Sequence, residues 1–310
     1  MENDYAIETK RLYKKYGDQL AVQDLSLHIP KGHIYGLLGR NGAGKTTTMK
    51  LMLQLLPPTS GEVFMFGQKI TRREKSVFQR IGAIIETPGF YPNLTATENL
   101  EIFAKLRGAT RPDAVENALR VVGLPYKDKK LFAAYSLGMK QRLGIANAIM
   151  HDPEVLILDE PTNGLDPIGI VEVREFLRSL SEREGKTILI ASHILSEISM
   201  LVDDIGILDH GVLLEESTME ALRKKNQKYL SVQVSDTAAA ALILEKHFYL
   251  NMSEYSIEDA HNIKIYKTAL DSGALTTELA QHNITVSSVY LRNDTLEDYF
   301  KKITGGEGIA

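Results

Sequence analysis

The 310-residue chain contains no cysteine and has no strong excess of charge of either sign. The lack of cysteine excludes disulfide bonds, thiolate catalysis and cysteine-ligated metal sites. Lys and Arg number 36 against 40 for Asp and Glu, and the net charge of -4 gives no reason to expect a nucleic-acid-binding surface. Hydrophobic residues make up 44% and charged residues 25%, which is typical of a globular protein, and the length allows one large and one smaller domain.

Long apolar runs are also missing. No run approaches the roughly 18 residues that would span a bilayer. The first residues, MENDYAIETKRLYKKYG, lack the apolar segment of a secretory signal. We therefore expect a cytosolic protein that reaches a membrane, if it does, through another protein.

Three short apolar segments have the pattern of buried strands. They are residues 34–38, 155–158 and 187–191, and each is followed by residues that can carry chemistry. Helical patterns lie between them, which predicts an α/β core with a largely parallel sheet. The stretch from about residue 88 to 150 is mostly helical in pattern and is predicted to form an inserted subdomain.

The character of the sequence changes near residues 223–229, RKKNQKY. Beyond them we predict strands at 229–234, 263–266 and 285–291, and helices at 238–247, 272–282 and from 294. This β-α-β-β-α-β-like order indicates a small α+β domain over residues 226–310, after a first domain over residues 1–225. The glycine-rich end, residues 305–308, is expected to be frayed.

The first strand is followed by GRNGAGKT, residues 39–46, which fits the phosphate-loop pattern G-x-x-x-x-G-K-[ST]. Its glycines let backbone N–H groups wrap phosphates, and the N-terminus of the following helix adds partial positive charge. Lys45 is predicted to reach the β- and γ-phosphates, and the Thr46 hydroxyl to hold Mg²⁺. The residues predicted to surround the phosphates are Asn41, Gly42, Gly44, Lys45, Thr46 and Thr47.

Asp159 and Glu160 end the second strand, and ligands of open parallel sheets bind at that edge. We expect Asp159 to lie in the Mg²⁺ shell and Glu160 to orient and deprotonate the attacking water. Taken alone, the pair could equally be a surface turn before Pro161. The phosphate loop earlier in the chain favours the catalytic interpretation.

With LILDEPTNGLDP around Asp159, the sequence resembles the ABC ATPase family. Residues 135–142, YSLGMKQR, occupy the place of that family's signature motif and are here called the signature segment. Ser136 and Gly138 are the residues in it that match the usual motif. His193 matches the switch histidine, Asp166 the loop that crosses the dimer interface, and Tyr16 the aromatic residue that stacks on adenine. The resemblance covers residues 1 to about 225.

The resemblance implies a mechanism and a set of partners. ATP is expected to be sandwiched between two chains, with the signature segment of one chain meeting the γ-phosphate bound by the other. Ser136 would cap the helix beginning near Gly138, whose free N–H groups form an anion site. The implied cofactors are ATP and Mg²⁺, and the implied partners are a second copy of the chain and an integral-membrane permease.

The sequence departs from the family at two places. The usual signature is Leu-Ser-Gly-Gly-Gln, and Tyr135, Leu137 and Met139 stand at three of those positions. Glu86 stands where the family usually has a glutamine that contacts Mg²⁺ and links to the helical subdomain. A glutamate can still bind magnesium but adds negative charge near Asp159. We hypothesise that Glu86 is the coupling residue; the other interpretation is a surface acid in a loop.

Both departures, together with SLGMKQRLGIA and EPTNGLDPIGI, resemble the ATPases of bacterial peptide-antibiotic exporters, including bacitracin-efflux and lantibiotic-immunity systems. By this resemblance the chain would lie on the inner face of the cell membrane, bound to the permease. Residues 86–94 are expected to dock the permease, because Phe90, Tyr91, Pro92 and Leu94 place apolar groups in a loop. Packing of that loop against the chain's own helical subdomain is the alternative.

Two functions from other classes remain open. An ABC ATPase associated with ribosomes would carry two cassettes, and one associated with DNA repair would need a long coiled coil or a nucleic-acid-binding face; neither feature is found. A regulatory subunit that binds ATP without cleaving it is disfavoured by the presence of Lys45, Glu160 and His193. The altered signature segment keeps that second possibility open.

Overall fold

The protein is seen in a computed structural model, which describes residues 4–71, 73–86, 89–108, 111–225, 228–293 and 296–304. Contacts between backbone positions divide them into two units. One unit runs to Glu220 and takes in Ile303 and Thr304, and the other is Ala221–Lys302. This division falls a few residues before the domain boundary predicted at residue 226. The predicted frayed end, residues 305–308, lies outside the described residues.

The first unit alternates strands and helices along the chain. Its strands are β1 (Tyr5–Tyr16), β2 (Gln19–Leu25), β3 (His28–Pro30), β4 (Ile34–Leu38), β5 (Ser60–Met65), β6 (Gln68–Lys69), β7 (Ile81–Ile84), β8 (Val155–Asp159), β9 (Thr187–Ser192), β10 (Asp204–Asp209) and β11 (Val212–Thr218). Its helices are α1 (Lys45–Met52), α2 (Ala96–Arg107), α3 (Ala114–Val121), α4 (Leu137–Ile149), α5 (Pro167–Glu184) and α6 (Leu195–Ile198), and α7 (Met219–Lys225) spans the division.

The predicted parallel sheet is confirmed. Its strand order is β11-β10-β4-β9-β8-β7, with the edge strand β11 antiparallel to β10 and the other pairs parallel. Every residue of β4, β8 and β9 is buried, as expected for a parallel sheet that is covered on both faces. Leu38 pairs with Ser192, and Asp159 pairs with Ala191. The segments that follow these three strands therefore begin at one edge of the sheet.

A second sheet, which the sequence analysis did not predict, is formed by the early strands. Its order is β2-β1-β5-β6, with β3 also paired to β1, and the pairs are antiparallel. The carbonyl oxygen of Ala21 on β2 lies 2.6 Å from the position that a Cβ at Gly44 would occupy. Gly44 also has a φ of +104°, so a side chain there would be both strained and obstructed. This sheet therefore lies directly against the start of α1.

Helices α2, α3 and α4 lie between β7 and β8, within the predicted helical stretch. Thr95 and Glu98 form a capping box at the start of α2, which satisfies backbone donors at that helix end. The centroid of the Phe90 ring lies 5.5 Å from that of the Phe103 ring and 5.2 Å from that of the Phe132 ring. The expectation that Phe90 belongs to an exposed docking loop is wrong, because these aromatic contacts bury it within the helical segment.

The second unit contains β12 (Lys228–Val234), α8 (Thr237–His247), β13 (Tyr255–Ile257), β14 (Asn262–Ile265), α9 (Ser272–Gln281), β15 (Val286–Asn293) and α10 (Leu296–Ile303). The three strands and three helices placed by the sequence analysis correspond to β12, β14, β15, α8, α9 and α10, and β13 is an additional strand that was not predicted. The strands form an antiparallel sheet in the order β13-β14-β12-β15. Apolar residues of α8 and α9, including Leu244 and Leu275, pack with Val232 and Ile263 into one core. None of the helices in the described part of the chain combines the length and hydropathy needed to span a bilayer.

Candidate functional site

Lys45 is the first residue of α1, and its ammonium group is buried beneath the loop that follows β4. Its side chain is 6% exposed, and Nζ donates to the carbonyl oxygens of Gly39 at 2.7 Å and Arg40 at 3.2 Å. Glu160 Oε1 lies 3.6 Å away. Burial lowers the pKa of Lys45, and the nearby carboxylates of Glu160 and Asp159 oppose that shift without overcoming it. The loop thus holds a cation at its centre with its own carbonyl groups.

The start of α1 is open to an anion. Gly44 is the N-cap residue and offers no side chain, so the first N–H groups of the helix have no capping partner from that position. Gly42 also has a positive φ, +83°, and a Cβ there would meet nothing within 4 Å. Asn41 and Gly42 are exposed, and Thr46 and Thr47 are half-buried. The predicted phosphate-loop residues therefore line an accessible helix N-terminus above Lys45.

Asp159 ends β8 and contacts the start of α1. Its Oδ2 accepts a hydrogen bond from the Thr46 hydroxyl at 2.7 Å, whereas Oδ1 is buried and finds no hydrogen-bond partner among the described residues. Burial raises the pKa of Asp159, and the negative charges of Glu160 and Glu86 raise it further. An unpaired oxygen on a buried carboxylate costs free energy unless a cation or a donor meets it.

Glu160 and His193 are brought together from the ends of neighbouring strands. Glu160 Oε2 lies 2.8 Å from His193 Nδ1, and the Glu160 backbone N–H donates to the Ala191 carbonyl at 3.0 Å. Glu160 has a φ of +49°, a conformation that few residues other than glycine adopt. Such strain occurs mostly at functional sites, where the surrounding structure holds it in place. The contact fixes the direction of a carboxylate beside Lys45.

Glu86 lies near this group but is already paired. Its Oε1 accepts a hydrogen bond from Lys50 Nζ at 2.6 Å, and its side chain is 66% exposed. Glu86, Asp159 and Glu160 border one cleft of about 360 Å³. Glu86 thus shares a cleft with Asp159, and its ion pair with Lys50 was not predicted from the sequence. The spacing could have suggested it, since Lys50 lies one turn after Thr46 on α1.

The signature segment borders the same cleft through Leu137, Lys140 and Gln141 on the first turns of α4. Ser136 is the N-cap residue of α4 and accepts a hydrogen bond from the Met139 N–H at 3.3 Å, which matches the predicted capping. Ser136 is exposed, and Gly138 is half-buried. Asp166 is exposed and caps α5, accepting from the Gly169 N–H at 2.8 Å. Ser136 and Asp166 form these hydrogen bonds at the starts of their own helices and form none with Lys45 or Asp159 of the same chain.

Tyr16 is the last residue of β1 and pairs with Gln19 across a tight turn to β2. Its side chain is 46% exposed, with Lys14 Nζ 4.9 Å from the ring centroid. Since β2 touches Gly44 through Ala21, Tyr16 lies on a hairpin that adjoins the phosphate loop.

Arg40 was not predicted as a site residue. Its Nη2 lies 3.2 Å from both carboxylate oxygens of Asp209, and this contact connects the phosphate loop to β10.

The buried carboxylate of Asp159 is expected to cost stability. Because its folded-state pKa is raised, the folded chain binds the proton more tightly than the unfolded chain, and stability is lost as pH rises through that folded pKa. The Asp159→Asn variant keeps an acceptor for Thr46 and removes the charge. We therefore expect a higher urea midpoint than wild type at pH 7.5 without divalent ions, and a difference that shrinks as the pH falls.

The matched control is Asp166→Asn, at an exposed N-cap where asparagine serves as well as aspartate. It should leave the urea midpoint unchanged at pH 7.5 and at lower pH. An Asp159→Asn protein less stable than wild type at pH 7.5 would contradict the assignment of a raised pKa to Asp159.

Comparison with known proteins identifies the family and the fold. Residues 22–163 match the family model described as "ABC transporter". The bacitracin transport ATP-binding protein BcrA of Enterococcus faecalis is 52% identical over 99% of both chains. The lantibiotic transport ATP-binding protein SrtF of Streptococcus pyogenes is 44% identical over 68% of this chain and 90% of its own.

Solved structures agree. A dimeric ATP-binding cassette, MJ0796, described as a post-hydrolysis state bound to ADP and Pi, superposes with a TM-score of 0.62 at 26% identity, covering 69% of this chain and 98% of that one. The resemblance found in the motifs and the predicted ATPase fold are thereby confirmed. The chain belongs to the ABC transporter family, as one of the ATP-binding subunits that couple ATP hydrolysis to transport.

Proposed function

We propose that this chain is the ATPase subunit of an exporter for a peptide antibiotic of the bacitracin or lantibiotic kind, and that it gives resistance or self-immunity. The transport functions of the two relatives BcrA and SrtF support this substrate class. The observation that carries the catalytic half of the proposal is the convergence of Lys45, Asp159, Glu160 and His193 at one edge of the parallel sheet. Transport would occur through a permease that holds the chain at the inner face of the membrane.

The donor set suits Mg²⁺. Asp159 offers a buried oxygen without a partner, and the Thr46 hydroxyl lies beside it, so both ligands are the hard oxygens that Mg²⁺ prefers. Thr46, Asp159 and Glu86 would hold the ion. When bound, Mg²⁺ would neutralise phosphate charge. Lys45 would hold the β- and γ-phosphates with the N-terminus of α1, where Asn41, Gly42, Gly44 and Thr47 complete the loop.

Glu160 is the proposed general base. Its carboxylate is aimed by His193 on one oxygen and lies beside Lys45 on the other, so it can accept a proton from water next to the terminal phosphate. His193 would keep Glu160 oriented and contact the γ-phosphate. Tyr16 would stack on adenine from the hairpin beside the loop.

Two copies of the chain would close the site. Ser136 and Gly138 at the start of α4, with Asp166 at the start of α5, are exposed or half-buried and would meet the nucleotide bound by the partner chain.

Replacing the proposed base tests both the role of Glu160 and the ATP-dependent dimer. Glu160→Gln removes the proton acceptor while its amide can still meet His193. We expect phosphate release to fall by roughly 10² to 10⁴. ATP binding should persist, and the variant should elute as a dimer with ATP because the nucleotide is no longer cleaved. Size-exclusion chromatography and phosphate release measure the two effects.

The control for that experiment is Glu62→Gln, a change in an exposed acid paired with Lys69, which should leave both readouts unchanged. A Glu160→Gln protein that turns over ATP at the wild-type rate would remove Glu160 from the role of base. Wild-type protein that binds ATP without turnover, alone and with its permease, would contradict the proposed catalytic site.

Glu86 is proposed to couple hydrolysis to transport. Glu86→Gln removes a negative charge that acts on Asp159 and weakens the ion pair with Lys50. We expect a lower KM for ATP, because less negative charge faces the phosphates, together with a changed number of ATP molecules hydrolysed per molecule exported. Lys50→Gln is the matched control, because it breaks the same pair and leaves the charge of Glu86. Unchanged ATPase and unchanged transport in Glu86→Gln would refute the proposal.

The permease is proposed to dock on an apolar groove of the first unit rather than on Phe90. The groove has a volume of about 920 Å³, with Leu55, Phe78, Ile85 and Leu106 among its lining residues. Leu106 is 76% exposed, and such an apolar side chain at the rim of a groove suits a partner helix. Tyr91, half exposed, remains available within the region that the sequence analysis predicted.

Leu106→Glu should abolish co-purification with the permease and antibiotic resistance in cells, because it places a charge in an apolar interface. Basal ATPase of the isolated chain should stay unchanged, since the groove that Leu106 lines does not include Lys45 or Glu160. The control is Leu242→Glu, a comparably exposed leucine on α8 of the second unit. Normal co-purification of Leu106→Glu would place the docking surface elsewhere.

A further inference from the structure

Three side chains of the second unit meet where α8 and α9 end. His247 is the last residue of α8, Glu278 lies in the last turns of α9, and His282 is the C-cap residue of α9. Glu278 Oε1 lies 2.8 Å from His247 Nδ1 and 3.4 Å from His282 Nε2. One ligand atom from each residue lies within 4.8 Å of the other two. This group, here called the His-Glu-His cluster, includes no residue assigned to ATP.

We propose that the His-Glu-His cluster binds one Zn²⁺ ion, with water as the fourth ligand. Two imidazoles and one carboxylate are a ligand set that zinc uses in proteins. With zinc–ligand bonds of about 2.0–2.1 Å, the ligand atoms of a tetrahedral site lie about 3.3–3.4 Å apart. The two nitrogen–oxygen distances, 2.8 and 3.4 Å, are close to that value. Small side-chain rotations would bring all three ligands to bonding distance.

The backbone beneath the cluster is held in place. Glu278 and His282 are four residues apart on α9, so both project from one face of the helix. Asp236 caps the start of α8, and Asp271 caps the start of α9. Leu244 on α8 and Leu279 on α9 are buried in the core of the unit. Leu244 lies one turn before His247, and Leu279 is adjacent to Glu278. The ligand positions are therefore set by packing rather than by a mobile loop.

The ends of the two helices favour a cation. The C-terminus of a helix carries partial negative charge, and the cluster lies at the C-termini of both α8 and α9. Glu278 adds a full negative charge between the two rings, which are 5.1 Å apart. Imidazole ligands select zinc over magnesium, so the site differs in metal preference from the Thr46–Asp159 group.

The geometry also defines what the ion would do. The three side chains are 42%, 27% and 45% exposed, which leaves room for a water ligand and allows exchange with the solvent. Zinc would bridge the end of α8 to the end of α9 and stabilise the second unit when the free ion is available, because the unfolded chain does not hold the three ligands together. A hydrogen-bonded cluster without metal is the competing outcome.

The test uses the full-length protein with any purification tag removed, free of nucleotide and Mg²⁺. Zn²⁺ is titrated by calorimetry, and thermal unfolding is followed with and without one equivalent of the ion. The variants are His247→Gln, His282→Gln and Glu278→Gln, the last of which keeps an oxygen acceptor but loses the charge. His261→Gln is the control, a histidine of the same unit whose Nδ1 lies 3.3 Å from the Val234 carbonyl oxygen.

We expect wild type and His261→Gln to bind one zinc ion at this site and to unfold at a higher temperature with zinc. Each variant in the cluster should lose at least about tenfold in affinity, since even residues that only orient zinc ligands cost that much. The zinc-dependent rise in unfolding temperature should vanish with it. Zinc affinity and stabilisation that survive in His282→Gln and Glu278→Gln, or a wild-type protein that zinc neither binds nor stabilises, would overturn the proposal.

Discussion

The buried ammonium of Lys45 is the group around which the candidate site of the first unit is arranged. A cation removed from water costs several kcal/mol unless oxygen atoms surround it. Here the carbonyls of Gly39 and Arg40 do so from within the loop, and Glu160 does so from the end of β8. That arrangement requires β4 and β8 to end at the same edge of the sheet, and β9, which lies between them, supplies His193 to Glu160. The strand register and the loop conformation therefore together place oxygen atoms around the ammonium of Lys45.

Negative charge around Lys45 is only partly balanced. Asp159 has a raised pKa and an unpaired oxygen, while Glu86 turns to Lys50. Without a ligand, acids placed this close repel one another, and burial adds to the cost. A divalent cation would relieve both penalties, and a bound phosphate would give the ammonium of Lys45 a stronger partner than the carbonyls. The charged groups of this site thus cost stability that ligand binding would recover, a common feature of functional sites.

The parts that could be predicted from the sequence are those in which local pattern and tertiary role coincide. Strands β4, β8 and β9 are continuous apolar runs, and the parallel sheet follows from helices between them. The antiparallel sheet was missed because β1 and β2 alternate exposed and buried residues irregularly, with register shifts between Leu12 and Lys15. Phe90 was misjudged for a similar reason: its burial depends on Phe103 and Phe132, which are distant in sequence. Side-chain pairs such as Glu86 with Lys50 depend on the packing of α1 against the sheet.

The altered signature segment can still serve the proposed dimer, for a reason that lies in hydrogen-bond capacity. A serine hydroxyl has one proton to donate and two acceptor positions. Ser136 uses one acceptor position to cap α4 through the Met139 N–H, so its proton is left for a phosphate oxygen of the partner site. The replaced neighbour Leu137 packs on the loop near Gly164, where a Cβ would lie 2.3 Å from its Cδ2. The substitution therefore changes the contact between α4 and that loop within one chain, while the groups proposed to bind phosphate, the hydroxyl and the helix N–H groups, are kept.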